Sequence, residues 1–319
     1  RAALVRAALN GATVRTEPVV ADGATFEGAR TQLRLTNVTN VPMTVDLRFL
    51  HNAHLQANRA TMRRRVEPNN VDLVPLRLSA PAPTDPALLP PLVTRWTVTY
   101  ALEDGVNPVT IEGQHRINVD TSYEVLAAGD VVVDGDLRDW PRLQVQPPEP
   151  GHVDDTMDAW YGPMDASFDF GVAERDGDLY IAVMTIDDHQ RLDPRGDFQD
   201  QDNTTLYIDA RPEGEQTGGV AQRDYLVVRM VATRDGVQLF RPDGLPEGIE
   251  VASVEARERA YYEVAVPEAW LNAQAGGEWA QVRINVRQYD VDPDSEAAVW
   301  WRPDWASPAS HADSGRFYR

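Results

Sequence analysis

Polar side chains occupy every second position along residues 281–289, which read Gln-Val-Arg-Ile-Asn-Val-Arg-Gln-Tyr. On a β-strand they would share one face, because successive side chains point to opposite sides of the sheet. Guanidinium, amide and phenol groups supply the directional hydrogen bonds that orient a sugar's hydroxyls. We therefore predict a ligand-binding face that contains Arg283, Asn285, Arg287 and Tyr289. The alternative is an ordinary outer face on which arginine stems cover the sheet.

Aromatic rings and one more arginine could complete this face. Tyr207 and Arg229 lie on neighbouring predicted strands, and we expect them to share it. Trp300 and Trp301 are adjacent, so in an extended segment one would join the core and the other would be free to stack on a sugar. Trp160, in a loop with Gly and Pro, is a second aromatic candidate. The arginines also suit an acidic sugar, because a guanidinium matches a carboxylate or sulfate.

Pairs of aspartates recur in the second half of the chain and could bind calcium. Ca²⁺ needs several oxygen ligands in a small volume. The candidate ligands are Asp134 and Asp136, Asp187 and Asp188, and Asp202. No twelve-residue EF-hand loop is present in the sequence. The alternative is that these loop aspartates form turns by accepting hydrogen bonds from nearby backbone.

Charge is distributed very unevenly along the 319 residues, whose net charge is −20. Residues 1–125 carry 13 Arg against 12 Asp and Glu, whereas residues 126–319 carry 17 against 38. This contrast indicates two domains. An acidic surface disfavours nucleic acid and anionic membranes as partners. The chain has no Cys, which excludes disulfides, thiolate metal sites and thiol nucleophiles.

Hydrophobic periodicity predicts an all-β chain with two β-sandwich domains. Short segments with period-two alternation, such as 33–35, 45–49 and 96–100, are separated by Asn, Pro and Gly. We predict a helical lead-in or remnant of an upstream domain at 1–11, a first sandwich at 12–122 and a second at 123–319. Residues 178–186 are apolar on both faces, which is typical of a central strand covered on both sides. No apolar run is long enough to span a membrane.

Residues 131–319 resemble the family-nine carbohydrate-binding modules in the order of their motifs. The first motifs are Asp-Gly-Asp-x-x-Asp-Trp at 134–140, Asp-Ala-Ser at 165–167, and Asp-Leu-Tyr at 178–180, which precedes a strand ending at Asp187-Asp188. Asp202 and Asp209 then flank the next strand, and Tyr261, Pro267 and Leu271 form a further motif. The last motifs are Tyr289-Asp290, Trp300-Trp301 and Gly315. The N-terminal half resembles immunoglobulin-like or fibronectin-like domains in a general way.

The resemblance implies a sugar-binding sandwich of jelly-roll type, with structural calcium and no organic cofactor. It also implies an accessory region of a larger secreted bacterial polysaccharide-degrading enzyme or surface protein, with a catalytic domain elsewhere in the parent chain and an extracellular, periplasmic or cell-surface location. Arg287 and Tyr289 fall where family members contact sugar. Two further positions of the family site, a tryptophan and a glutamate, are here Gln199 and Thr205.

Other functions stay open from the sequence alone. A haem-binding electron-transfer sandwich would need axial Met or His ligands, for which Met164, Met184, Met230, His152 and His189 are available. A glycoside hydrolase or lyase with its own paired carboxylates, or a purely structural module, are further alternatives. The sequence has no phosphate loop, no Gly-x-Ser-x-Gly and no His-Glu-x-x-His. The favoured interpretation is non-catalytic carbohydrate binding.

Overall fold

The computed structural model describes residues 14–16, 19–21, 25–86, 89–101, 107–146, 152–153, 160–193, 196–212, 215, 225–302, 305 and 315–319. The chain forms two compact units, Arg1–Thr121 with Asp304–Ser314 and Ser122–Pro303 with Gly315–Arg319. Strands predominate in both units, so the prediction of an all-β chain with two β-sandwich domains is confirmed. The helix predicted within residues 1–11 lies outside the described residues.

The first unit has two four-stranded sheets, ordered β1-β3-β7-β5 and β6-β4-β8-β9, and a parallel pair of β2 with β10. Its strands are β1 (Val14–Thr16), β2 (Val19–Val20), β3 (Phe26–Asn37), β4 (Met43–Leu50), β5 (Gln56–Ala57), β6 (Thr61–Val66), β7 (Asn70–Thr84), β8 (Leu92–Tyr100), β9 (Val109–Ile117) and β10 (Val119–Asp120). Alternate apolar side chains, such as Leu33 and Leu35 of β3 and Val45 and Leu47 of β4, meet in one core between the sheets.

The second unit also has two sheets, ordered β11-β22-β20-β15-β16-β17 and β12-β13-β14-β19-β18, with β21 paired to β20. Its elements are β11 (Tyr123–Glu124), β12 (Leu126–Ala127), β13 (Ala166–Arg175), β14 (Asp178–Asp187), β15 (Asn203–Asp209), β16 (Leu226–Thr233), β17 (Gly236–Phe240), β18 (Glu250–Ala256), β19 (Arg259–Val266), α1 (Glu268–Ala275), β20 (Gln281–Val291), β21 (Glu296–Trp300) and β22 (Arg316–Tyr318).

β14 is the middle strand of its sheet and is buried on both faces, as its apolar sequence predicts. Ile181 and Val183 are fully buried on one face. Tyr180 and Ala182, on the other face, pack in a second cluster that contains Trp140. The segment before β13 therefore forms an additional layer over this sheet, and Trp140 is a core residue, as expected from the sequence.

Candidate functional site

Strand pairing brings most of the predicted ligand face together on one side of the second unit. Tyr207 of β15 lies opposite Asn285 of β20. Thr205 lies between Arg287 on one neighbouring strand and Arg229 on the other. The register of three strands thus aligns the two arginines across the sheet, because directly opposed residues in antiparallel strands share a face.

Three aromatic rings and one guanidinium form a compact group on this face, which we call the aromatic–arginine cluster (Tyr207, Arg287, Tyr289 and Trp300). The Arg287 Cζ lies 4.7 Å from the centroid of the Tyr289 ring and 5.4 Å from that of Trp300. Tyr207 stacks on Trp300 with a centroid separation of 5.4 Å and an interplanar angle of 22°. Such cation–π and stacked contacts fix the plane of the guanidinium.

The cluster is more enclosed than the sequence suggests. Tyr207, Tyr289 and Trp300 are each only 7% exposed, whereas Arg287 and Arg229 are half-buried. The Tyr289 hydroxyl donates to Glu296, and burial together with this carboxylate raises the pKa of Tyr289 to about 12. The accessible part of the cluster is therefore its arginine edge, and the rings mainly support that edge.

Trp301 is a core residue, and the expectation of one free tryptophan at this pair is wrong. Its side chain is fully buried, with ring centroids 4.9 Å from Phe170 and 5.2 Å from Tyr123. Trp300 on the opposite face is also buried, because Tyr207 and Arg287 cover its ring. Neither indole presents an open flat face to solvent.

Arg283 and Asn285 are fully buried and are used within the protein, which corrects the expectation that they face an open cradle. Arg283 lies 3.8 Å from Asp209, a carboxylate that also binds Arg211 in a bidentate pair. The Asn285 amide donates to the carbonyl of Arg302 and accepts from its N–H. Buried polar groups need such partners, and Arg283 and Asn285 contact theirs in neighbouring strands and loops.

Trp160 is half-buried, and its Nε1 donates to the carbonyl of Ala166 at 2.8 Å. The next residue, Tyr161, is 77% exposed, and its N–H donates to Asp165. Trp160 is therefore anchored to the start of β13. The exposed ring in this loop belongs to its neighbour.

The Asp-Gly-Asp motif forms a closed turn around Glu263 of β19, which we call the clasp (Asp134, Gly135, Asp136, Trp140 and Glu263). Glu263 accepts from the N–H groups of Asp134 and Gly135 and from the Trp140 indole. Asp134 accepts from the N–H of Asp136, which in turn caps the short helical turn that follows.

Asp134 and Asp136 are absent from the described groups of acids that could converge on a metal ion. Asp136 is instead paired with Arg138. The described contacts of this pair favour the alternative of a structural turn, since its carboxylates accept from backbone and arginine donors, and metal ligation by the pair stays a prediction.

Five other aspartates converge at one end of the second unit, and we call them the acidic pocket (Asp165, Asp187, Asp202, Asp290 and Asp292). Within the described residues, ligand oxygens of Asp187, Asp202 and Asp290 lie within 4.8 Å of one another, and so do those of Asp165, Asp290 and Asp292. Asp290, at the end of β20, belongs to both groups. Two of the predicted metal ligands, Asp187 and Asp202, are thus brought together, whereas the predicted Asp188 is exposed beside them.

The electrostatics of the acidic pocket are unfavourable for its carboxylates. Burial raises the pKa of Asp187, Asp202 and Asp290, and neighbouring aspartates raise each of them further. Only hydrogen bonds act in the opposite direction, such as those from the N–H groups of His189 to Asp187 and of Val291 to Asp202. Among the described residues, the charges that shift the pKa of these three groups most are negative, so the pocket needs protons or a cation.

The acidic pocket adjoins a small cavity. This cavity of about 20 Å³ is lined by Asp187, Asp202 and Gln288, together with other polar and some apolar side chains, and Asp290 is not part of its lining. This volume suffices for a single water or ion. The Oδ1 of Asp290 and the Oε1 of Gln288 are buried and accept no hydrogen bond in the described structure. Unpartnered oxygen acceptors among like charges match the ligand preference of Ca²⁺.

Sequence reasoning missed Asp165, Asp290 and Asp292 as pocket members. Asp165 lies more than a hundred residues before Asp290 and Asp292 in the sequence, and it meets them because β13 begins and β20 ends on the same side of the unit. The available signal was Asp290 itself, an acidic residue that directly follows an alternating apolar strand.

Comparisons with known proteins give only distant likenesses. No family model matches the chain, and no curated protein matches it. A family 9 carbohydrate-binding module from Caldicellulosiruptor kristjanssonii in complex with cellotriose is similar at 10% identity, covering 62% of this chain and 93% of that one, with a TM-score of 0.42. The same kind of module in complex with glucose gives 11% identity, 62% and 95% coverage and a TM-score of 0.40.

A third structure, the E. coli chaperone DraB, is similar at 11% identity over 53% of this chain and 67% of that one, with a TM-score of 0.22. Likenesses of this degree assign neither a family nor an activity to the chain. None of the described helices has the length and apolar character needed to cross a membrane.

Proposed function

We propose that the second unit binds carbohydrate without catalysing a reaction on it. The observation that carries this proposal is the aromatic–arginine cluster, in which stacked rings hold Arg287 at a half-open sheet face beside Arg229. Pre-oriented guanidinium groups are effective donors to sugar hydroxyls, and their geometry also matches the carboxylate of an acidic sugar. Recognition through this edge would differ from stacking on an open tryptophan.

Unsatisfied polar atoms in the same face support a polar ligand there. The Nε1 of Trp300 and the Oγ1 of Thr205 are buried and have no hydrogen-bond partner in the described structure. Such groups are uncommon in native proteins and call for a missing partner, such as water or a ligand. A sugar hydroxyl can both donate and accept a hydrogen bond. A small opening movement at the arginine edge would therefore allow it to hydrogen-bond with the Trp300 Nε1 and the Thr205 Oγ1.

Affinity electrophoresis of the full chain against plant, algal and microbial polysaccharides tests the proposal. We expect retardation on at least one polysaccharide, and the Arg287→Ala variant to bind it about tenfold more weakly, since one charge-assisted contact is worth roughly 1.4 kcal/mol or more. Arg259→Ala is the matched control, because Arg259 is an exposed arginine on the other sheet. Absence of retardation on every polysaccharide, or equal binding by both variants, would contradict the proposal.

We also propose that the acidic pocket holds a structural Ca²⁺, with Asp187, Asp202 and Asp290 as ligands and Asp165 and Asp292 close by. The ion would supply the positive charge that these carboxylates lack. Its ligands come from the end of β14, the residue before β15 and the end of β20, so it would join both sheets. Calorimetric titration of the EDTA-treated protein with Ca²⁺ tests this, with Asp290→Asn expected to abolish the binding heat.

The biological setting that suits these proposals is an accessory region of a larger secreted bacterial protein, outside the cytoplasm, where polysaccharides and calcium are available. A catalytic domain would then lie elsewhere in the parent chain. Release of reducing or unsaturated sugars by this chain alone would contradict the non-catalytic assignment and favour a hydrolase or lyase.

A further inference from the structure

An open depression of about 410 Å³ lies on the outer face of the β1-β3-β7-β5 sheet of the first unit. Three arginines line it, Arg30 of β3, Arg77 of β7 and Arg59 just after β5, together with the amides of Gln32 and Asn58. Among the described residues, its lining contains no carboxylate. In a chain with a net charge of −20, this is a concentrated positive surface.

The arginines are arranged in a way that costs stability. Arg30 and Arg77 are directly opposed across the β3–β7 ladder, and both are exposed. Like charges in this position repel each other and destabilise a sheet. The Nη2 of Arg59 donates to the carbonyl of Pro75, at 3.5 Å, which brings a third guanidinium to the same depression.

Pro75 is an exposed residue in the lining of the depression and limits strand pairing on this edge of β7. Pro75 has no N–H to donate, so β7 cannot complete a ladder beyond it on this edge. The short strand β5 pairs with β7 only at Leu78 and Ser79. The adjoining Asn58 is fixed by reciprocal hydrogen bonds with the backbone of Arg77. The sheet edge therefore ends where the arginines converge.

We propose that this depression binds an anionic polysaccharide through its carboxylate or sulfate groups. Guanidinium groups match these anions in a bidentate manner, and the two amides can bind neighbouring hydroxyls. The net charge of the whole chain disfavours long-range attraction of any polyanion, including this polysaccharide, so binding would depend on contacts within the Debye length of about 8 Å. The site is independent of the aromatic–arginine cluster, because it lies in the other unit.

A second opposed arginine pair in the same unit serves as a matched control. Arg48 and Arg95 face each other across β4 and β8 on the other sheet, beside a depression of about 500 Å³. That depression includes Asp46, which lies 3.4 Å from Arg63. A carboxylate already occupies this surface, so we expect an added anion to bind there more weakly.

Affinity electrophoresis of the full chain in gels containing dextran sulfate, polygalacturonate or neutral dextran tests the proposal. We expect retardation by at least one charged polymer and none by neutral dextran. Arg30→Gln/Arg77→Gln should weaken binding at least about tenfold, whereas Arg48→Gln/Arg95→Gln should change it less than about twofold. Arg30→Lys/Arg77→Lys keeps the charge but loses the planar fork, and should give an intermediate loss.

Several outcomes would overturn the proposal. Equal losses of binding in the two double Gln variants would indicate general charge attraction. Absence of retardation by both charged polymers would show that the depression does not bind anionic polysaccharide. Stronger Arg30- and Arg77-dependent binding to a single-stranded oligonucleotide or to phosphatidylserine vesicles would assign the depression to another partner. Arg287→Ala should leave the part of this binding that depends on Arg30 and Arg77 unchanged, which separates failure here from failure of the sugar proposal in the second unit. Far-ultraviolet circular dichroism and thermal unfolding confirm that each variant folds.

Discussion

The clasp and the acidic pocket are both groups of carboxylates in the second unit, yet they differ in how their oxygens are satisfied. In the clasp, Glu263 accepts from two backbone N–H groups and the Trp140 indole. In the acidic pocket, Asp290 keeps an oxygen without a donor and is surrounded by other aspartates. The first arrangement is complete within the protein, whereas the second requires an external cation or protons.

The hydrogen bonds that a carboxylate accepts distinguish the acids of the clasp, which stabilise a turn, from those of the pocket, for which we propose a ligand. The Asp-Gly-Asp motif is the denser acidic motif in the sequence, but its spacing suits a turn. The pocket is assembled from segments far apart in the chain, and its carboxylates repel one another in the folded state. The proposed cation site therefore rests on incomplete satisfaction of buried oxygens and not on local acidic density.

The effect of calcium on the free energy of unfolding should differ most between variants of the clasp and variants of the acidic pocket. Saturating Ca²⁺ should raise the free energy of unfolding by about 4 kcal/mol at a concentration a thousandfold above its Kd. Asp290→Asn should remove most of this gain, while Asp136→Asn in the clasp should keep it, as measured by urea unfolding with Ca²⁺ or EDTA. Equal calcium responses of the two variants, or an unresponsive wild-type protein, would contradict the cation site.

Raising the pH should lower the stability that the acidic pocket contributes, whereas it raises the stability contributed by a salt-bridged aspartate. Burial and repulsion raise the pKa of Asp187 to about 6 and that of Asp290 to about 9, above the ordinary value of 3.8. The folded state thus binds protons more tightly, and stability without metal should fall as pH rises from about 4 through these values. One extra bound proton corresponds to about 1.4 kcal/mol per pH unit, or about 3 kcal/mol between pH 5 and pH 7.

Urea unfolding in EDTA at pH 5, 6, 7 and 8 measures this slope. Asp290→Asn should flatten it, because the substitution removes the group with the largest shift in pKa. Stability that increases steadily from pH 5 to pH 8 in the metal-free wild-type protein would show that the pocket is not under repulsion.

Glu263→Ala should destabilise the clasp by about 3 kcal/mol, because it leaves two backbone N–H groups and one indole without an acceptor. The loss should be the same with Ca²⁺ and with EDTA, in contrast to that of Asp290→Asn. Glu263→Gln retains one acceptor oxygen and should lose less. A calcium-dependent loss for Glu263→Ala would mean that the two groups are not separate.

Gly135→Ala tests how tightly the clasp is closed. Gly135 has a φ of +86°, and an added Cβ would lie 2.8 Å from the carbonyl carbon of Ser253. We expect a loss of about 2 kcal/mol in thermal unfolding, from strain and the clash together. Gly129→Ala is the control, since Gly129 has a φ of +60° but open space around it, and should lose about half as much. Equal losses would show that the clasp has room to relax.

The sequence predicts the strands of both units well, because alternation of apolar residues reports directly on which face meets the core. It also predicts the central position of β14 and the burial of Trp140. It overestimates the openness of the ligand face, since the stacking of Tyr207 on Trp300 and the pairing of Arg283 with Asp209 depend on strand register. Register is a property of distant segments and cannot be read from one strand alone.

Tyr289 and Asp290 are consecutive residues of β20, yet one belongs to the aromatic–arginine cluster and the other to the acidic pocket. A single stretch of backbone therefore presents both groups on its two opposite sides. Deleting or inserting one residue earlier in this strand would exchange the two sides, placing a phenol among the aspartates and a carboxylate among the rings. This segment should accordingly accept side-chain changes far more readily than changes in length.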